Sequence, residues 1–305
     1  MKWGILASVA LVLVFVLLLV TSLRGKVDGP TPATTRGQLT LMTIPADLSS
    51  VHKPTTQASA NEAYRAAIDY FAAHREALVA EPPPKAEVMK LTELFIAAMN
   101  AGSVSKPFLD DLLPMGLIEA SDSPVNTALQ WAPSLVLLGS EHFEEDKKPA
   151  KAKDAALAVF VLGHRAFTHS TRLDIRHVSL FAMKEAGNRL FAMTKPNDPI
   201  RAQVEAFAGP ISQVDLQWDG KLKIVKNPKP HTGDLIHIAE NDQDRSFRVA
   251  ATRWLGVAKF NAGTKGNERA IREAIARAKA GNDAELKAAA EAAERFTAAE
   301  LRRFR

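Results

Sequence analysis

Hydrophobic positions recur along this chain with different periods, and each period predicts a different kind of element. Residues 3–23 carry no charge at all and are dominated by Leu and Val. As a helix at about 1.5 Å per residue they would be about 31 Å long, the thickness of a bilayer's hydrocarbon core, and only a helix satisfies its own backbone inside lipid. The stretch therefore predicts a membrane-inserted helix over residues 1–24. A cleaved signal peptide is the competing reading. Such a peptide has an apolar core of about 7–15 residues and a small-x-small cleavage site, for which Val20-Thr21-Ser22 is the candidate here. No cysteine follows to carry a lipid.

Residues 25–58 contain Pro30, Pro32, Thr34, Thr35, Pro45, Pro54, Thr55 and Thr56 and few large apolar side chains, which reads as a flexible tether. One exception lies inside it: Leu39-Thr40-Leu41-Met42-Thr43-Ile44 is apolar enough for a short strand or a docked segment.

Spacing of three and four then takes over. Tyr64, Ala67, Ile68 and Phe71 share a face of a helix over 61–78, closed by Pro82-Pro83-Pro84. Val88, Leu91, Leu94, Phe95 and Met99 do the same over 85–101, with Gly102 placed for a left-handed C-terminal cap. A short helix is expected over 105–118. Ser123-Pro124 then opens a helix to about residue 144 with a break or kink at Pro133. The segments 150–167 and 173–193 are apolar over most of their circumference, which predicts buried helices at the centre of the fold.

Period two follows. Val214, Leu216 and Trp218 alternate with polar residues, Asp219-Gly220 suits a two-residue type I′ turn, and Leu222 and Ile224 alternate back, predicting a β-hairpin. From residue 233 onward the pattern is helical and rich in alanine. The chain thus divides into an anchor (1–24), a tether (25–58), a helical-hairpin domain (59–205), a β-hairpin insert (206–230) and a helical C-terminal region (231–305). The expected class is mainly α: a transmembrane helix, then an irregular solenoid-like stack of α-hairpins with one small β-hairpin.

Asp244-Arg245-Ser246-Phe247-Arg248-Val249-Ala250-Ala251, followed by Leu255-Gly256, resembles the first helix of a HEAT repeat, and Asp283-Ala284-Glu285-Leu286 restarts the pattern about 39 residues later. Glu294 and Arg295 stand where leucine and glycine belong in the second copy, which suits a terminal cap. The resemblance implies that Asp244 and Arg248 stabilise the stacking of repeats. Leu138-Gly139, with Ala155 and Phe160 in the next helix, is similar to tetratricopeptide-like hairpins. The whole layout resembles membrane-anchored envelope proteins of bacteria, which implies an architecture and no activity.

Composition narrows the chemistry. With no cysteine there is no disulfide framework, thiolate metal site or cysteine nucleophile. Net charge is +5, yet basic residues interleave with acidic ones, which points to a solvated surface rather than a nucleic-acid face. Lys221, Lys223, Lys226 and Lys229 form the candidate contact patch, with Trp218 beside it either as an interface anchor or as a lid on the helical core. His164, His169 and His177 are the nearest approach to a metal set, but His164 and His169 are five apart, which does not place both imidazoles on one helical face, His177 lies beyond Arg172 and Asp174, and no cofactor is expected.

Lys2 precedes the apolar stretch and Arg24, Lys26 and Arg36 follow it, so a literal charge count favours a cytoplasmic C-terminal part, whereas short-tailed N-terminal anchors commonly translocate the long domain behind them. The expectation is a single-pass inner (cytoplasmic) membrane protein, anchored through residues 3–23, whose C-terminal domain is extracytoplasmic and binds or scaffolds another envelope protein without catalysis. The alternative is an envelope hydrolase with a site assembled around the central histidines.

Overall fold

Three of the described helices begin where a short polar side chain satisfies the first free amides. Ser59 accepts a hydrogen bond from the Glu62 amide at 3.3 Å, and Asp244 and Asp283 cap later helices in the same way. The computed structural model describes residues 44–104, 124–226, 231–260 and 265–299. In chain order these form β1 (Thr56–Ser59), α1 (Ala60–Ala73), α2 (Arg75–Leu78), α3 (Lys85–Asn100), β2 (Ala101–Ser103), α4 (Pro124–Glu145), α5 (Pro149–His169) and α6 (Leu173–Met193). After them come α7 (Pro199–Lys226), α8 (Thr232–Asn241), α9 (Arg245–Ala258), α10 (Lys265–Ala280) and α11 (Ala284–Arg295).

The expectation of a mainly helical chain holds, with one small two-stranded sheet. Pairs packed directly together follow the chain: α1 with α3, α3 and α4 with α5, α5 with α6, α6 with α7, α7 with α8 and α9, and α9 with α10 and α11. All of 155–167 in α5 is buried, so this run has no solvent face and forms the centre of the core, as its all-round apolar sequence predicts. The helices approach to backbone contact at two glycines. A Cβ on Gly163 of α5 would stand 2.7 Å from Met183 Cγ and 2.9 Å from the Ser179 carbonyl of α6. One on Gly256 of α9 would stand 2.7 Å from Ala293 Cα of α11.

Three expectations are corrected. The predicted β-hairpin is a helix: 214–225 belongs to the 28-residue α7, which continues through Pro210 and Gly220. Val204, Phe207, Ile211, Val214, Trp218, Leu222 and Val225 are all buried, a stripe spaced by three and four that packs on the neighbouring helices, while Leu216, on the alternating pattern, is 79% exposed. Burial of that stripe outweighs the local turn signal of Asp219-Gly220. The small sheet lies elsewhere. β1 and β2 pair in parallel, with Thr56 opposite Ala101 and Ser59 opposite Ser103. This also reassigns Gly102, which sits in β2 after an extended C-cap at Ala101 instead of in a left-handed cap. A Cβ there would lie 2.7 Å from the Thr56 carbonyl, so glycine permits the strands to approach.

The second part of the predicted tether is likewise not free. Residues 44–55 run over the domain as a strap: Ile44 and Val51 are buried, and the Thr55 amide donates to the Asn100 carbonyl at 3.0 Å. The anchor, the rest of the tether, the 105–118 helix and Lys229 lie outside the described residues. Among the described residues no helix is long and apolar enough to cross a membrane.

Gly220 and Gly256 discriminate helix from hairpin and test the close crossing. Nothing lies within 4 Å of a Cβ at Gly220, so Gly220→Ala should stabilise the protein by about 0.5–1 kcal/mol as in any exposed helix interior, whereas a type I′ turn would be destabilised. Gly256→Val should cost about 1–3 kcal/mol through overpacking against α11. Chemical denaturation of the two variants reads both.

Candidate functional site

Where the C-terminal end of α5, the start of α6, the middle of α7 and the start of α9 meet, the stack leaves a cleft of about 350 Å³. Ile44 and Ala46 of the strap form one wall. Phe167, Val214 and Trp218 form the floor, and Thr171, Gln217, Lys221 and Arg245 lie around it.

Arg176 organises this region. It is the fourth residue of α6, and its guanidinium lies 4.6 Å from the centroid of Phe167 and 5.0 Å from that of Trp218. Its Nε donates to the Phe167 carbonyl at 3.1 Å, and its Nη1 donates to Asp244 Oδ1 at 2.7 Å, Asp244 Oδ2 at 3.0 Å and Ser246 Oγ at 2.7 Å. One side chain thus holds the end of α5, the N-cap of α9 and the aromatic floor. Trp218 stands between Phe167, 5.4 Å away, and Phe247, 5.0 Å away and edge-on. Such ring pairs and a cation over a desolvated face each add about 0.5–2 kcal/mol beyond area burial.

Asp244 is the shared acceptor. Besides Arg176 it takes the Ser246 amide at 2.9 Å and the Ser246 hydroxyl at 2.7 Å, and its own amide donates to Asp242 Oδ1 at 2.8 Å. Burial pushes its carboxyl up, but the Arg176 charge and the Ser246 hydrogen bonds outweigh burial and hold it below the usual aspartate value. The arrangement recurs one layer on. Arg245 donates to both oxygens of Asp283, at 2.6 and 2.7 Å, and Asp283 caps α11 with nearly the same backbone angles as Asp244 in α9: φ −81° and ψ 111°, against φ −81° and ψ 112°. Hydrogen bonding from Arg245 lowers the Asp283 carboxyl to about 2. Arg248, paired with Asp244 on sequence grounds, turns instead to the Asp242 and Gln243 carbonyls and closes the turn between α8 and α9.

The sequence-derived site residues separate here. Trp218, Lys221 and Asp244 come together at the cleft, although Trp218 is only 4% exposed and serves mainly as a core aromatic. Lys221 Nζ bonds Asp242 at 2.7 Å and stands 5.0 Å from the Phe247 ring. Lys223 points into solvent and pairs with Asp219 one turn away at 2.7 Å, apart from Lys221. Lys226 is the last residue of α7. The cleft's cations therefore already have carboxylate partners, Arg176 with Asp244, Lys221 with Asp242 and Arg245 with Asp283, and an entering group meets hydroxyls, the Gln217 amide and apolar walls rather than a bare positive field.

The histidines do not converge. His164 is buried, with its Nε2 on the Pro45 carbonyl at 2.7 Å and its ring edge-on to Phe207, while His169 ends α5 and His177 lies in α6. Among the described residues no group of three His, Cys, Asp or Glu side chains is placed to hold a metal ion. Sequence reasoning missed Arg176. The available signal was a single arginine beside Ile175 and ahead of Ser179 and Leu180, all buried positions of α6, where a charge requires a partner. The site is thus that of a mainly helical domain with an ion-pair network around an aromatic cleft. Comparison with family models, with curated proteins and with solved structures found no match.

Truncating the shared carboxylate has a definite expected effect. Asp244→Ala leaves the Arg176 guanidinium without its partner beneath the aromatic floor and should cost about 3–5 kcal/mol in denaturant unfolding, while Lys223→Ala, losing only an exposed pair, should stay within about 0.5 kcal/mol. Because Asp244 and Asp283 sit below their ordinary value in the folded chain, their stabilisation is complete above about pH 4 and is lost as pH falls through their folded values.

Proposed function

We infer that this chain is a membrane-tethered helical-stack module that binds a protein partner in the bacterial cell envelope, with the cleft between α5, α6, α7 and α9 as the docking place. The observation that carries this reading is the composition of the cleft: its residues come from the strap and from α5, α6, α7 and the start of α9, so its shape depends on how these separate elements pack together. A volume of about 350 Å³ lies at the low end of ligand pockets and suits two or three side chains of a peptide segment. The tether reading is supported by the charge-free 3–23 stretch, and the HEAT-like reading by the repeated aspartate caps at Asp244 and Asp283, each held by an arginine of the preceding layer. The domain stands on the extracytoplasmic side of the inner membrane in this reading. No observation favours hydrolysis, since His164 spends its Nε2 on the Pro45 carbonyl.

Two measurements test it. A reporter that is active only outside the cytoplasm, fused to the C-terminus of the full chain, should be active and remain with the membrane fraction after carbonate washing; an inactive or soluble reporter removes the tethered extracytoplasmic reading. A photo-crosslinking residue at Gln217, on the cleft, should yield a discrete protein adduct in native membranes that disappears on Lys221→Glu, while the same residue at the exposed Arg269 of α10 should yield none. Equal labelling at both positions, or none at Gln217, sinks the docking site.

A further inference from the structure

The strap is fastened by two imidazoles on either side of one buried guanidinium. His164 Nε2 bonds the Pro45 carbonyl at 2.7 Å, and His52 Nε2 bonds the Met99 carbonyl at 3.0 Å. In both, a ring N–H donates to a carbonyl that can only accept, so each neutral ring is the Nε2–H tautomer. Between them Arg165, 6% exposed, donates to the Ala98 carbonyl at 3.0 Å and the Ala101 carbonyl at 2.7 Å and lies 6.0 Å from the Tyr64 ring. Further fastenings are apolar contacts of Ile44, Leu48 and Val51 and the Thr55 amide bond to Asn100.

We propose that residues 44–55 form an acid-released strap: protonation of His52 and His164 places two further positive charges around Arg165, detaches the segment from α3 and α5, and removes the Ile44 and Ala46 wall of the cleft.

Every neighbouring charge enters this balance. Burial, then the Arg165 charge, opposes protonation of both rings, while the carbonyl bonds favour it. On the strap side Asp47 faces His164, and its carboxylate, held low by Ser49, favours the charged ring. On α5 Asp154 faces His52, but burial raises its own carboxyl. Tyr64 of α1 is pushed up to about 12 by burial and stays neutral. Phe207 of α7 adds no charge. Both histidines therefore titrate below the ordinary value of about 6.5 while the strap is attached and at about that value once it is released. Attachment is complete above about pH 6.5 and weakens as pH falls toward the attached-state values. In that window each ring raises the released-to-attached ratio by up to about tenfold per pH unit, and the two together by up to about a hundredfold.

Hydrogen exchange of the full-length protein, corrected for intrinsic rates, is measured between pH 7.5 and pH 5 on the strap amides, with α9 as internal reference. Wild-type strap protection should fall by up to about a hundredfold per pH unit below about pH 6.5 while α9 is unchanged. Either His52→Gln or His164→Gln, which keeps an N–H donor without titrating, should reduce the slope to about tenfold, and the double variant should be flat. A flat wild-type profile, or an undiminished slope in the double variant, overturns the proposal. Should the double variant lose protection in α9 as well, ring-proton titration of the wild type decides: strap release must track the titration of the two histidines, and release at a pH where neither titrates refutes it.

Discussion

A helical run with no solvent face imposes its surroundings. The run 155–167 in α5 is buried on all sides, so water must be excluded from its whole circumference, and the helices before and after it in the chain have to supply the cover. α3 and α4 pack on one part of it and α6 on another, with Gly163 allowing α6 to reach backbone contact. Every later layer is positioned on α6 or on what α6 carries, so the place of the cleft follows from the burial of α5.

The layers beyond α6 are joined by polar contacts as much as by apolar ones. Arg176 reaches from α6 to the cap of α9, and Arg245 reaches from α9 to the cap of α11. In each case the carboxylate already accepts the first amides of the next helix, so a single aspartate fixes both the start of a helix and its placement on the preceding layer. Such a pair is costly to desolvate and yields little net stability against an apolar replacement, but it penalises any slippage that would strand one charge. The register of the C-terminal stack is thereby specified where small alanine-rich surfaces, such as those of α11, would slide with little resistance.

The strap and the cleft share residues, which couples two features that are far apart in the chain. Ile44 and Ala46 wall the cleft, and Pro45 between them accepts the His164 hydrogen bond, so whatever moves the strap alters the cleft. The segment that leads into the domain from the 3–23 stretch is therefore also the one held by the His52 and His164 hydrogen bonds.

Much of this was legible in the chain itself. The buried run of α5 and the helical period of the first two helices follow from side-chain chemistry within a few helix turns, and local chemistry sufficed to place them. Residues 214–225 did not yield to it. Val214, Leu216, Trp218, Leu222 and Ile224 fit an alternating strand, and Asp219-Gly220 fits a turn, but the longer stripe from Val204 to Val225 fits a helix equally well. Choosing between the periods required knowing which side chains had neighbours to pack against, and α6, α8 and α9 supply them for the helical set alone. The partners of Arg176 and His164 were hidden in the sequence for the same reason: they lie 68 positions and 119 positions away, and only folding brings Asp244 and Pro45 within hydrogen-bonding reach.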